Sequence, residues 1–330
     1  MVFHPIKTAF SGTQNKAEDP SFWIGAFAWK GSVSPKIALR SIIFVCYAAI
    51  ITIVNESFYL FPDLDLTPFE LCGAVLGVLL VFRTNAGYDR WWEARKLWGG
   101  IVNQSRNLIV GALAYGPRDD QTLEYFADLV IGFPYAAKNS LRNLDSTVEI
   151  QRKTNLNLPE KEFYTTHQPS YFTLKIAETL NQWKEDDKIS PIAFLNIDKE
   201  RLKLLEYVGA CERILKTPMP LVYVIKVRRF LLLFLLLVPI GIVHLAGFLT
   251  PGITLLVAYP LLALDQIGLE LQNPFSRERL SHLPIDDICD SIRHDILNLV
   301  RSYKHNKHIR EDIKKSTTRP KSISESHLLS

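Results

Sequence analysis

Residues 66–98, Leu66-Thr-Pro-Phe-Glu-Leu-Cys-Gly-Ala-Val-Leu-Gly-Val-Leu-Leu-Val-Phe-Arg-Thr-Asn-Ala-Gly-Tyr-Asp-Arg-Trp-Trp-Glu-Ala-Arg-Lys-Leu-Trp98, pass from an apolar run into a charged, aromatic segment with no helix-breaking signal between them. One helix is therefore expected to leave a bilayer and continue into water. On a wheel of about 100° per residue, Leu71, Val75, Val78 and Phe82 share one face, and Gly73 and Gly77 lie on roughly the opposite one. The Gly-x-x-x-Gly spacing lets another helix backbone approach closely. The branched apolar face is left for a different environment, either lipid or the axis of a pore.

The 330 residues are 48% hydrophobic and 22% charged, which is apolar for a water-soluble enzyme of this length. The apolar residues gather near 41–61, 66–82, 230–249 and 251–264, while 83–217 reads as a soluble helical protein. Phe230–Leu249 carries His244 as its sole ionisable residue, and a helix rising about 1.5 Å per residue crosses a core of about 30 Å over such a length. Ser41–Asn55 is short and draws on Phe58, Leu60 and Phe61, and Pro251–Leu264 draws on residues up to Leu271. Leu66–Phe82 is interrupted by Glu70, which suits a helix shielded by neighbours or lining water.

Lys30, Lys36 and Arg40 precede the first span, and Arg83, Arg90, Arg95 and Lys96 follow the second. Lys226, Arg228 and Arg229 precede the third, Arg277 and Arg279 follow the fourth, and the loop Glu56–Asp65 has neither Lys nor Arg. By the positive-inside rule this gives a multi-pass protein of four spans with both termini cytoplasmic or stromal and a tight outer hairpin at Thr250–Gly252. The expected organisation is an N-terminal cytosolic or interfacial segment (1–40), two spans (41–82), a cytosolic helical domain (83–229), two further spans (230–271), a cytosolic helical segment (272–302) and a disordered basic, Ser-rich tail (303–330). No cleavable signal peptide is visible, since the first apolar run begins late. Phe22, Trp23, Phe27 and Trp29 read as an interfacial aromatic belt. Cys46, Cys72, Cys211 and Cys289 have neither disulfide-framework nor zinc-site spacing. The net charge of +4 is explained by membrane orientation, with no nucleic-acid partner required.

Helices are expected at about Phe82–Leu113, Asp120–Leu141, Ser170–Glu185, Ile192–Lys216 and Asp286–Ser302, separated by Gly116-Pro117 and by a loop at Thr147–Pro169. Thr67 and Glu70 have the spacing of a capping box with Pro68 at the first helical position; the functional alternative is a ring of carboxylates at a pore mouth. His244, in mid-span, is either functional or hydrogen-bonded between helices. Asp265 and Glu270 are expected to pair with Lys and Arg at the inner membrane face. Asp89, Arg90, Glu93, Arg95 and Lys96 read as a salt-bridged helix surface over Trp91, Trp92 and Trp98. There is no P-loop, GxSxG, HExxH or CxxC pattern, and the chain does not read as an enzyme.

Phe82-Arg83-Thr84-Asn85-Ala86-Gly87-Tyr88-Asp89-Arg90-Trp91-Trp92-Glu93-Ala94-Arg95-Lys96-Leu97-Trp98, with Pro220-Leu221-Val222-Tyr223 and Asn273-Pro274-Phe275, resembles the prokaryotic and chloroplast branch of the bestrophins over roughly residues 20 to 300. The resemblance implies an all-α membrane protein. Four membrane helices per subunit, a cytosolic helical vestibule and a homopentamer around one central pore are implied with it. It places a hydrophobic neck at Thr67, Leu71 and Val75, which the same face extends to Val78 and Phe82, and a cytosolic aperture at Ile192 within Ser190-Pro191-Ile192. Gly73 and Gly77 remain the helix-packing positions. Animal members follow the Asn-Pro-Phe segment with an acidic calcium-binding run, whereas Ser276-Arg277-Glu278-Arg279 follows here, so no calcium, other metal or cofactor is expected. The reading is a passive channel for chloride and related small anions such as bicarbonate, in an inner or plasma membrane or a thylakoid membrane. A monovalent cation channel of the same architecture is the alternative. A non-conducting membrane scaffold and a membrane enzyme using His244 or Asp265 come from other classes.

Overall fold

The computed structural model describes residues 23, 27–29, 31–158 and 167–318, with side chains described as far as residue 309. Among the described residues the secondary structure is helical throughout. The helices are α1 (Ser34–Phe58), α2 (Thr67–Tyr115), α3 (Asp120–Leu141), α4 (Thr147–Lys153), α5 (Gln168–Glu185), α6 (Pro191–Lys216), α7 (Leu221–Ala246), α8 (Thr250–Glu270) and α9 (Ile285–Thr318), with a short 3-10 turn at Gly247–Leu249. Three helical stretches are long and apolar enough to cross a membrane: Ser34–Phe58, Thr67–Tyr115 and Leu221–Glu270, the last divided by the 3-10 turn.

The chain divides into two compact units, residues 1–97 with 210–284, and 98–209 with 285–330. In the first, α1, α7 and α8 pack on one another, and Leu76 and Leu80 of α2 join their apolar core beside Leu231, Phe234 and Leu235. No hydrophobic effect acts between such helices in lipid, so close packing and polar contacts hold them. Two contacts of this kind are visible: Gly73 leaves room for the ring of Phe234, and Gly241 leaves room for that of Phe69. In the second unit α3 is buried along most of its length between α5 and α9. Gly132 admits Phe172, and Phe126 and Trp183 meet with ring centroids 4.9 Å apart. Lys138, 1% exposed, is held by Glu149 of α4 at 2.6 Å and Asp286 of α9 at 3.0 Å, so its charge is compensated inside the unit.

Several boundaries differ from the sequence reading, each for a local reason. The first span gains its length at the N-terminal end, from Ser34, and stops at Phe58 because Tyr59 takes a left-handed conformation (φ 46°); Leu60 and Phe61 lie beyond it. The turn between the last two apolar helices is Gly247–Leu249 and not Thr250–Gly252. Gly247 adopts φ 49°, and Pro251 sits in the first turn of α8. His244 therefore lies in the last turn of α7 and not in mid-span. The segment 147–153, read as loop, forms α4. Residues 303–318, read as disordered tail, continue α9, with Lys304 paired to Glu124 and Lys307 to Asp120 on α3. Phe22 of the aromatic belt, and residues 319–330 of the tail, lie outside the described residues; Trp23 and Phe27 stack with centroids 6.3 Å apart.

Candidate functional site

The site is built on α2, which runs unbroken from Thr67 to Tyr115. Gly116-Pro117 ends it. Around this helix the side chains sort into sectors. Leu76, Leu80 and Arg83, spaced i, i+4, i+7, are completely buried against the first unit. Turned away from them, Leu71 (68% exposed), Val75 (47%), Val78 (54%) and Phe82 (62%) form an apolar stripe left open among the described residues. The glycine pair divides: a Cβ on Gly73 would stand 3.1 Å from Phe234, whereas one on Gly77 would meet nothing within 4 Å. Gly73 packs inside the chain, and the Gly77 surface stays open.

The start of α2 corrects the capping-box reading. Asp65 Oδ1 accepts from the Thr67 amide at 3.0 Å and from its hydroxyl at 2.8 Å, while the Glu70 amide bonds to the Leu66 carbonyl. The Asp65 carboxylate thus takes the capping role, and those Thr67 bonds hold its carboxyl below the ordinary range. Glu70 is exposed, and its carboxylate has no hydrogen bond or ion pair among the described residues.

At the other end of the apolar run, buried Arg83 pairs with Asp265 of α8, which also accepts from Arg228 Nε of α7 at 3.3 Å. One turn further on, Lys36 of α1 reaches Glu270 at 2.9 Å. Both acidic residues are thus paired with basic residues of neighbouring helices. Arg83 was the residue missed as an anchor; its place on the Leu76–Leu80 face was the signal. Arg90 departs from the expected salt-bridged surface. Its guanidinium donates to the carbonyls of Ile214, Thr217 (2.6 Å) and Gln272 (3.4 Å), capping the C-terminal ends of α6 and α8. Trp91 donates to the Ser281 carbonyl at 2.7 Å and Trp98 is buried, but Trp92 is half exposed. His244 Nε2 lies 2.7 Å from the Phe61 carbonyl oxygen, tying α7 to the loop after α1.

Ile192 stands in the first turn of α6 and is 74% exposed. Ser190 fixes that turn by accepting from the Ala193 amide at 3.2 Å.

Residues 14–298 match the family described as Bacterial/Fungal Bestrophin protein. A voltage-dependent anion channel-forming protein of Ralstonia nicotianae is 31% identical over 255 residues, 76% of this chain and 83% of the relative. One of the same description from Synechocystis sp. is 30% identical over 298 residues, 88% of this chain and 95% of the relative. The crystal structure of a bacterial bestrophin homolog from Klebsiella pneumoniae superposes with a TM-score of 0.73 at 27% identity, over 80% of this chain and 98% of that one.

Proposed function

The chain belongs to the bestrophin family and is an integral membrane protein, not an enzyme, and we propose that five copies enclose one pore that passively conducts chloride and related small anions such as bicarbonate. The exposed stripe of α2 carries this reading. Leu71, Val75, Val78 and Phe82 are as apolar as a lipid-facing surface, yet they share a helix whose opposite face anchors the bundle and whose first turn holds Thr67 and a solvent-exposed carboxylate. Five such helices around an axis form a neck at Thr67, Leu71 and Val75 that resists wetting and closes without a charged gate. The relatives named as anion channel-forming proteins support the anion preference, and the helix dipole of α2 puts partial positive charge at its N-terminal end. Ile192 forms a second constriction in a cytosolic vestibule. Four spans with cytoplasmic termini follow if α7 and α8 each cross the membrane. The channel needs no calcium, since Arg277 and Arg279 occupy the segment after Phe275.

Glu70 favours one second reading. Five unpaired carboxylates beside the neck would attract cations, giving a monovalent cation channel of the same architecture.

A cysteine at position 75 tests the pore assignment. In a background with exposed Cys46 and Cys72 replaced by Ser, Val75→Cys channels should lose current on adding a charged thiol reagent. Current that survives, with the cysteine unmodified by mass spectrometry, would place Val75 against lipid or a neighbouring helix.

A further inference from the structure

The first unit contains a cavity of about 380 Å³ between α1, α7 and α8 whose two ends differ in chemistry. Arg40, Arg228 and Asp265 line one end; Ile43, Phe44, Leu231, Leu232, Leu235 and Leu262 line the rest. On both α1 and α7 the arginine comes one turn before the apolar residues, so the groove runs from a cationic mouth into an apolar channel along the helices.

The charges at the mouth do not cancel. Arg40 is exposed and has no hydrogen bond or ion pair among the described residues. Arg228 shares Asp265 with the fully buried Arg83, and the Nε and Nη2 atoms of Arg83 have no partner among the described residues. Three guanidinium groups thus face one carboxylate. That surplus needs an anion, and the apolar channel beneath it needs hydrocarbon.

We propose that this groove binds an anionic phospholipid from the leaflet on the arginine side, with Arg40 and Arg228 on the headgroup phosphate and an acyl chain against Ile43 and Leu232, the exposed apolar residues of its lining. The inference needs the chain to sit in a membrane and is independent of what the pore conducts, so an absence of current leaves it standing. Arg40, with no partner among the described residues to lose, is the residue whose replacement tests the charge. Leu232, half exposed in the groove, is the one whose enlargement tests the chain.

Full-length protein in detergent, mixed with phosphatidylglycerol and phosphatidylcholine of identical acyl chains, is read by native mass spectrometry. Wild type should retain phosphatidylglycerol in preference. Arg40→Gln should reduce that preference by about fivefold, the expected effect of one basic residue at a lipid surface. Leu232→Trp should lower retention of both lipids, with assembly unchanged on gel filtration. Equal retention of the two lipids by wild type, or an undiminished preference in Arg40→Gln, would overturn the proposal. So would displacement of phosphatidylglycerol by millimolar inorganic phosphate, because the arginines would then hold a free anion.

Discussion

Arg83 of α2 and Asp265 of α8 form an ion pair with both side chains withdrawn from solvent, and Arg228 of α7 joins the same carboxylate from a more exposed position. Three helices are thereby fixed at the point where the apolar run of α2 ends. The worth of the two arginines differs. Asp265→Asn leaves Arg83 buried and uncompensated, a change that costs about 3–5 kcal/mol. Arg228→Gln, whose side chain is 42% exposed, should cost no more than about 1 kcal/mol. Denaturant unfolding in detergent should rank them in that order; equal losses would show that the burial of Arg83 is not what matters.

The two glycines of α2 separate folding from assembly. Gly73→Leu should destabilise each chain, because its first side-chain atom would already press on Phe234. Gly77→Leu meets open space within the chain, so it should leave helicity intact and disrupt the proposed pentamer, in which a neighbouring helix would pack on this glycine. Light scattering with circular dichroism reads both. A Gly77→Leu protein that remains fully assembled would remove Gly77 from the subunit interface.

The second unit should weaken in acid through Asp290. Burial would raise its pKa, but the Lys153 ammonium at 2.6 Å and the Tyr135 hydroxyl at 2.5 Å override this and hold the carboxyl below its ordinary value. A depressed carboxylate contributes stability that is present above the unfolded pKa of about 3.9 and lost as pH falls through the folded one. Asp290 is half exposed, so after screening the contribution is at most about 1 kcal/mol. Asp290→Asn should lower the melting temperature slightly near neutrality and make it less dependent on pH below about 4.5. An unchanged pH slope would contradict this assignment.

The sequence showed these features unequally. The unbroken helix through Phe82 and Trp98 was legible because no proline or glycine pair interrupts the apolar-to-charged transition. The stripe Leu71–Phe82 was legible because the wheel depends only on periodicity. Most of what escaped depends on partners far along the chain. Arg90 caps helices ending near Ile214 and Gln272, and no local spacing reveals that. Asp65 displaced the Thr67–Glu70 capping box because its side chain reaches the same amide from two residues earlier. The helical stretch 303–318 escaped because its composition suits disorder, whereas Lys304 and Lys307 find acidic partners on α3.

Glu70 decides between the two ionic readings. Lacking a partner among the described residues, it can be neutralised without disturbing the fold, so Glu70→Gln should change stability by less than about 0.5 kcal/mol. If the pore selects anions through helix N-termini and an apolar neck, the anion-to-cation permeability ratio should stay within about twofold of wild type, because a charge outside the ion path is screened. A several-fold shift toward anions would put five carboxylates on that path and favour the cation reading.

Anion conduction itself is tested most directly by the reversal potential of purified wild-type protein in a planar bilayer under a KCl gradient. With a tenfold gradient the reversal potential should lie close to the chloride equilibrium value, and the current should not depend on calcium chelation. A value close to the potassium equilibrium potential, or no current from correctly assembled protein, would contradict it.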